Sequence, residues 1–403
     1  MKNFLKETKE LVLSQGSIAV LAILQVSFTA KTLGPSNYGL IAIYLAITAT
    51  FFRLLSSRNA DLVLLFVKDK GVKTNHFFVL DFLLGILSAC LTVLFILLFD
   101  NSLDLRFEEY LLTVLLYVFS RTFLNFSETF KGYFTHVGNL KLFSYFESGT
   151  VLLRFLLVVG LLLIAPSVEM YLLAISIYSF ISGTTAIYLV KKNETHDNVL
   201  RLSFKDFFAT VKTSFFKLRI DQAFGIIPVN LDILIIGSYL DSYNVGIYQF
   251  AKKLIEPVNY IVVAFSPWML NKLKLDDNFK FGFLTKKVLL PIATLMTLFY
   301  VFAGERVITL LGSKEFVEAF QPMIIMLFGY LFYLTTFWTR HFLLINDAIL
   351  SHTKGRILNA ITFIILSVLL VNNFAINGVA TAVSVGIVIQ KIFEVRSAYK
   401  LRK

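Results

Sequence analysis

The sequence is short of charge, of cysteine and of the small signatures that mark catalysis. Only 16% of its 403 residues are Asp, Glu, Lys or Arg, against 57% hydrophobic ones, and the mean hydropathy is +0.75. No soluble domain of this size keeps so apolar a chain in water, which excludes a globular cytoplasmic protein. The single cysteine, Cys90, sits in an apolar run and can form neither an internal disulfide nor a thiolate metal cluster, so it reads as lipid-facing or core. Glycine and proline are too sparse for a fibrous or low-complexity chain. There is no P-loop, no Gly-rich dinucleotide fingerprint, no HExxH and no cysteine pair. The five histidines, His76, His136, His196, His341 and His352, are scattered without ligand spacing. ATP hydrolysis, nicotinamide redox chemistry and zinc catalysis all lack their residues. The expectation is a protein with no catalytic residues, no metal site and no cofactor beyond a gradient of H+ or Na+.

What the chain has is apolar length. A membrane-spanning helix needs roughly 20 apolar residues, and windows of that kind lie near 11–31, 38–57, 77–99, 109–130, 145–165 and 169–190. Six more lie near 216–239, 243–267, 283–303, 319–344, 356–374 and 377–396. The fold class expected is therefore all-α and integral to the membrane, with about twelve transmembrane helices joined by short loops. The basic N-terminus is followed by an apolar run without a small-residue cleavage site, so that run is kept as the first span. The formal charge of +12 gathers mostly in alternate short loops. That distribution reports topology rather than nucleic-acid binding, and no nucleic acid is expected as a partner. With the N-terminus inside, an even number of spans returns the C-terminus to the cytoplasm. Lys391, Arg396, Lys400, Arg402 and Lys403 agree with this, while Asp100, Asp104, Glu108, Glu109, Glu169, Asp241, Glu305 and Glu315 fall on the far side.

The longest polar linker, 191–206, divides the chain into near-equal halves: a six-helix bundle over 1–190, a cytoplasmic linker over 191–211 and a second bundle over 212–403. The halves carry a repeat. Leu33, Asn37 and Gly39 after the first span match Leu240, Asn244 and Gly246 after the seventh at one offset, 246 − 39 = 207. Six intervening spans make such a repeat parallel, with a pseudo-twofold axis along the membrane normal and a cleft between the bundles.

Ionisable residues within spans cost roughly 2.5–3.5 kcal/mol each on insertion scales, so they mark wet or buried surfaces. Arg121, Asn125 and Glu128 share one helical face of span four, and Glu147, Thr150 and Arg154 repeat the set in reverse order on span five. Antiparallel packing puts the two arginines at one depth. There they either share a multiply charged anion such as pyrophosphate or pair with Glu147 and Glu128 and staple the bundle together. On span eight, Lys252 and Lys253 stand deep, with Glu256 able to neutralise Lys252. Arg53, Arg58, Arg219, Arg340 and His341 lie nearer cytoplasmic ends, either snorkelling to headgroups or forming a basic vestibule. Asp232, mid-span, must be protonated or paired, and with Glu128 it is a candidate for ion coupling, the alternative for Asp232 being an interhelical hydrogen bond. Pro228, Pro257, Pro267 and Pro291 cluster in or beside spans seven to nine, either for bending or as static kinks.

Three strings carry a family likeness: Lys31 followed by LGPSNYG up to Gly39, VNLDILIIGSYLDSYNVGIYQFAKKLIEPV from Val229 to Val258, and AINGVATA from Ala375 to Ala382. In this order and with twelve spans, the chain resembles the Wzx-type polysaccharide flippases of the multidrug/oligosaccharidyl-lipid/polysaccharide exporter superfamily. The resemblance implies a V-shaped transporter that moves a polyprenyl-pyrophosphate-linked oligosaccharide to the outer leaflet of a bacterial inner membrane by alternating access through a cationic cavity. Lys31, Arg53, Arg121, Arg154, Arg219, Lys252, Lys253 and Arg340 would contribute to that cavity. It also implies O-antigen or lipopolysaccharide synthesis, contact with membrane lipid, and a glycan polymerase and chain-length regulator as partners. Lys31 departs from the Arg usual there and offers only a point charge. The competing readings are a cation-coupled multidrug exporter of the same superfamily, which should carry fewer mid-membrane arginines, and a membrane glycan polymerase or glycosyltransferase, which needs a larger outer loop. A peptidoglycan-precursor flippase would more often have fourteen spans.

Overall fold

The computed structural model describes residues 2–56, 59–70, 73–194, 203–263, 266, 269, 287, 289–346 and 348–401. Every predicted span lies in helix wherever it is described, apart from a residue or two at its ends and single turn residues at Asn125, Glu256 and Phe337, and no strand occurs among the described residues. The order is α1 (Lys2–Leu55), α2 (Asn59–Lys70), α3 (Thr74–Leu103), α4 (Phe107–Leu124), α5 (Phe126–Val137), α6 (Leu140–Ile164) and α7 (Val168–Asn193). Then follow α8 (Phe204–Tyr239), α9 (Ser242–Ile255), α10 (Leu290–Leu311), a 3-10 turn (Lys314–Ala319), α11 (Phe320–Thr336), α12 (Trp338–Ile345) and α13 (Ile349–Leu401). Eight helices or joined helices among the described residues are long and apolar enough to cross a bilayer.

The two longest helices each hold two spans separated by one broken residue. In α1 the break is Gly34, at φ 70°, ψ 172°. Only glycine occupies that region cheaply, and Pro35 with its fixed φ then opens the next helical arm. In α13 the break is Ala375, at φ 45°, ψ −132°, where a Cβ must be accommodated. Gly378 lets the following arm fold back against Leu370. The window expected as span four is two helices that meet at Asn125, so Glu128 belongs to α5 and not to the helix of Arg121. The helix α2 lay outside all hydropathy windows because its twelve residues are too few and too mixed to span a membrane.

Two compact units emerge from the contacts, dividing inside α1 and α8: a terminal unit of residues 1–42 and 227–403 and an inserted unit of residues 43–226. This division does not test the two six-helix bundles expected over 1–190 and 212–403. The inserted unit has a phenylalanine-rich core, with Phe77, Phe130 and Phe134 from α3 and α5 meeting Phe146 and Phe207. Phe130 and Phe146 rings lie 4.0 Å apart. In this unit α4 crosses α7 closely because Gly183 leaves space for the Phe123 carbonyl. Outward-facing Leu163, Ile164, Leu295 and Phe302 are at least 70% exposed, the surface of a protein whose solvent is lipid. Cys90 is exposed among such side chains.

Candidate functional site

Within the inserted unit the polar residues separate into two groups. Deep in the core, Asn59 of α2 donates to the Phe77 carbonyl at 2.8 Å and to Thr129 Oγ1 at 3.1 Å, and Thr129 donates to Asp81 Oδ2 at 2.7 Å. Asn59, Asp81 and Thr129 are all buried, so this chain of hydrogen bonds ties α2, α3 and α5 together. Asp81 is an intramembrane acid that the span-by-span reading passed over. Its isolation in an otherwise apolar window was the available signal.

The second group is the one built around the arginines. Lys131 Nζ lies 3.1 Å from Glu147 and 3.7 Å from Glu128. It thereby engages the two carboxylates, Glu147 and Glu128, expected to pair with Arg121 and Arg154. Lys131 follows Glu128 by three residues, just past the apolar window, and so was not counted among intramembrane charges. Arg154 lies over the Tyr178 ring of α7, 6.0 Å from its centre. Arg121, half-buried at the end of α4, makes no hydrogen bond or ion pair among the described residues. Both helices that carry the arginines pack on α7. Beside Glu147 and Arg154, a cavity of about 310 Å³ opens between α6 and α7. Leu142, Tyr145, Phe146 and Leu153 line it, with Thr150, Ser182 and Thr185 as its polar points.

In the terminal unit, Asp232 is fully buried and is paired, as one of its two expected states required. Its partner is Lys252, whose Nζ donates to Oδ2 at 2.6 Å and to the Val229 carbonyl at 2.6 Å. Tyr248 also donates to the same carboxylate oxygen, at 3.0 Å. The pairing of Lys252 with Glu256 is therefore replaced: Lys253 takes Glu256 at 2.6 Å. Helical geometry explains the exchange, since Lys252, Tyr248 and the partner face of α8 lie on one side of α9 while Lys253 points elsewhere. Lys31, Arg53 and Arg340 are exposed. The side chain of Arg219, and Arg58 altogether, lie outside the described residues.

The terminal unit also holds a buried cluster of a different kind. Glu394 accepts from Thr339 at 2.7 Å and Lys391 at 2.6 Å on one oxygen, and from Gln390 at 2.7 Å on the other, where His352 Nδ1 also lies at 2.9 Å. His352, Thr339, Lys391 and Glu394 are each at most 3% exposed. No sequence motif marked this set, because the histidine and the glutamate stand 42 residues apart.

Helices of this number, length and apolarity, with their ionisable groups held in internal networks, define a multi-pass membrane protein. The chain belongs to the polysaccharide biosynthesis protein family, which it matches over residues 4–269. Its fold is similar to that of the lipid II flippase MurJ in an inward closed conformation, at a TM-score of 0.69 and 17% identity over 96% of this chain and 87% of that one. It is similar as well to an inward-facing multidrug resistance MATE family transporter of the MOP superfamily, at 0.69 and 12% over 97% and 98% of the two chains. A MATE transporter from Vibrio cholerae, VcmN, follows at 0.62 and 10% over 99% and 96%. No curated protein matches the sequence.

Proposed function

We propose that this protein flips a polyprenyl-pyrophosphate-linked oligosaccharide from the cytoplasmic to the outer leaflet of a bacterial inner membrane by alternating access, moving its substrate without altering a covalent bond. The observation that carries the reading is Arg121, a half-buried guanidinium in a membrane helix whose expected counter-charges are held by Lys131. A membrane helix whose arginine meets no acid among the described residues favours an anion brought by the substrate. Pyrophosphate suits it because guanidinium bonds phosphate oxygens in a planar, bidentate way. Membership of a polysaccharide biosynthesis family and a fold shared with a lipid II flippase support the class of substrate. The apolar cavity beside Arg154 fits part of an isoprenoid chain. Arg154, Lys31, Arg53, Lys252, Lys253, Arg219 and Arg340 are further contacts in this reading. A glycan polymerase and chain-length regulator are its expected partners, both termini lie in the cytoplasm, and Asp232 and Glu128 remain candidates for ion coupling.

The buried acid Asp232, together with the MATE-like fold, favours the exporter as a second reading. Reconstitution separates the two. Proteoliposomes given a fluorescent polyprenyl-pyrophosphate oligosaccharide should move its glycan to the opposite leaflet, where a lectin reaches it. Gradient-driven efflux of a cationic dye without any glycan movement would establish the exporter instead.

A further inference from the structure

Among the described residues, the buried His352 Nε2 of the cluster around Glu394 has no partner. Both carboxylate oxygens of Glu394 accept two donors each, so the group is ionised and can only accept. His352 must then carry its hydrogen on Nδ1, because that nitrogen faces the carboxylate at 2.9 Å. The lone pair of Nε2 is left free, in a side chain 3% exposed and with no hydrogen-bond partner. A neutral imidazole aimed at a carboxylate through one nitrogen, with the other buried and open, is built to take up a proton: Nε2 binds it, Glu394 stays ionised, and the pair becomes an imidazolium–carboxylate pair.

The surrounding charges decide what the added proton does. From α11, Tyr333 places its ring 4.8 Å from Lys391 Nζ. From α12 come Arg340 and His341, the latter bonded to Ser266 at 3.1 Å. The first arm of α13 adds Arg356 and the second adds Lys391, which already neutralises Glu394 at 2.6 Å. The helix α9 also touches α13, but Lys252, Lys253 and Glu256 are engaged in their own pairs. A proton on His352 therefore places an extra positive charge among cations and leaves a buried N–H with no acceptor. Both effects disfavour the present packing.

We propose that His352 is a proton-binding site of this protein, with Glu394 as its fixed counter-charge, and that its occupancy shifts α12 relative to the two arms of α13. When Nε2 takes up a proton, the arrangement described here gives way to one in which Nε2–H meets water or another acceptor. Linking this step to substrate movement rests on the flippase reading; the proton site itself does not.

Trp338 reports the step, since it is buried beside Thr339, which bonds Glu394. In the full chain in lipid nanodiscs, Trp268→Phe leaves Trp338 as the sole tryptophan. Its emission should change through a one-proton transition as the pH is lowered. The transition should vanish in Trp268→Phe/His352→Gln and persist in Trp268→Phe/His341→Gln. Persistence in the His352 variant, or loss in the His341 variant, overturns the proposal. If His352→Gln does not fold, ring-carbon NMR of the histidine-labelled, unsubstituted chain decides. A histidine in the Nδ1–H tautomer should gain charge in step with the emission change, and the absence of such a signal refutes the site. A chain that binds the proton yet moves no lipid-linked glycan contradicts the flippase reading and leaves the proton site standing. Glycan movement with no His352 titration does the reverse.

Discussion

Gly39 and Gly246 lie backbone against backbone: a Cβ on Gly39 would fall on the Ser242 carbonyl and one on Gly246 on the Pro35 carbonyl. These are the equivalent glycines of the half repeat, so positions that match in sequence also meet in space. The neighbouring contacts seal the crossing, with Tyr38 and Phe250 both packed on Phe316 of the 3-10 turn and Ser27 bonded to the Leu311 carbonyl at 2.6 Å.

Adding a single methyl group at that crossing forces the two backbones apart. Gly39→Ala and Gly246→Ala should each destabilise the protein by about 1–3 kcal/mol, the usual cost of overpacking. Thermal unfolding in detergent measures it, with Gly160→Ala as control. Gly160 has open space where its Cβ would go, and alanine there should be neutral or stabilising. Equal melting temperatures for all three variants would mean that the crossing is not a tight contact.

The pairing of Asp232 with Lys252 sets a second expectation. Removing one member of a buried pair leaves an uncompensated charge, so Asp232→Asn and Lys252→Met should each cost about 3–5 kcal/mol. The double variant should cost well below the sum, which a double-mutant cycle on unfolding free energies detects. Additive losses would show that the two side chains do not interact.

Ala375 provides a third. Its φ of 45° is unfavourable for a side chain and ordinary for glycine. Ala375→Gly should stabilise the protein by about 1 kcal/mol, and Ala375→Val should destabilise it. A lower melting temperature for the glycine variant would show that the turn is not held in this conformation.

The helices were legible in the sequence because apolar length is a local property. The break after the first span was legible as well, since one apolar window ends at 31 and the next begins at 38. The break at Ala375 had no glycine at its own position to announce it, although the family string begins there. The pairing of charges was not legible, and the reason is physical. Each partner is chosen by helix packing: Asp232 finds Lys252 across a helix pair, and Glu394 finds His352 across the hairpin of α13. Lys391 had been read as one basic residue among several marking the cytoplasmic end, yet it is 1% exposed and bound to Glu394 three residues on. Lys131 was overlooked for a related reason, since it lies where α5 extends beyond the apolar window. Both show that a charge near a span end can be an internal group, and only its spatial neighbours distinguish the cases.

The most direct test of the account is substrate movement by Arg121→Gln in proteoliposomes, at matched protein level and folding. The account expects lipid-linked oligosaccharide to bind and cross about tenfold or more less effectively, the worth of a charge-assisted hydrogen bond to the pyrophosphate. Unchanged binding and crossing by this variant would contradict the claim that an unpaired intramembrane arginine holds the anion.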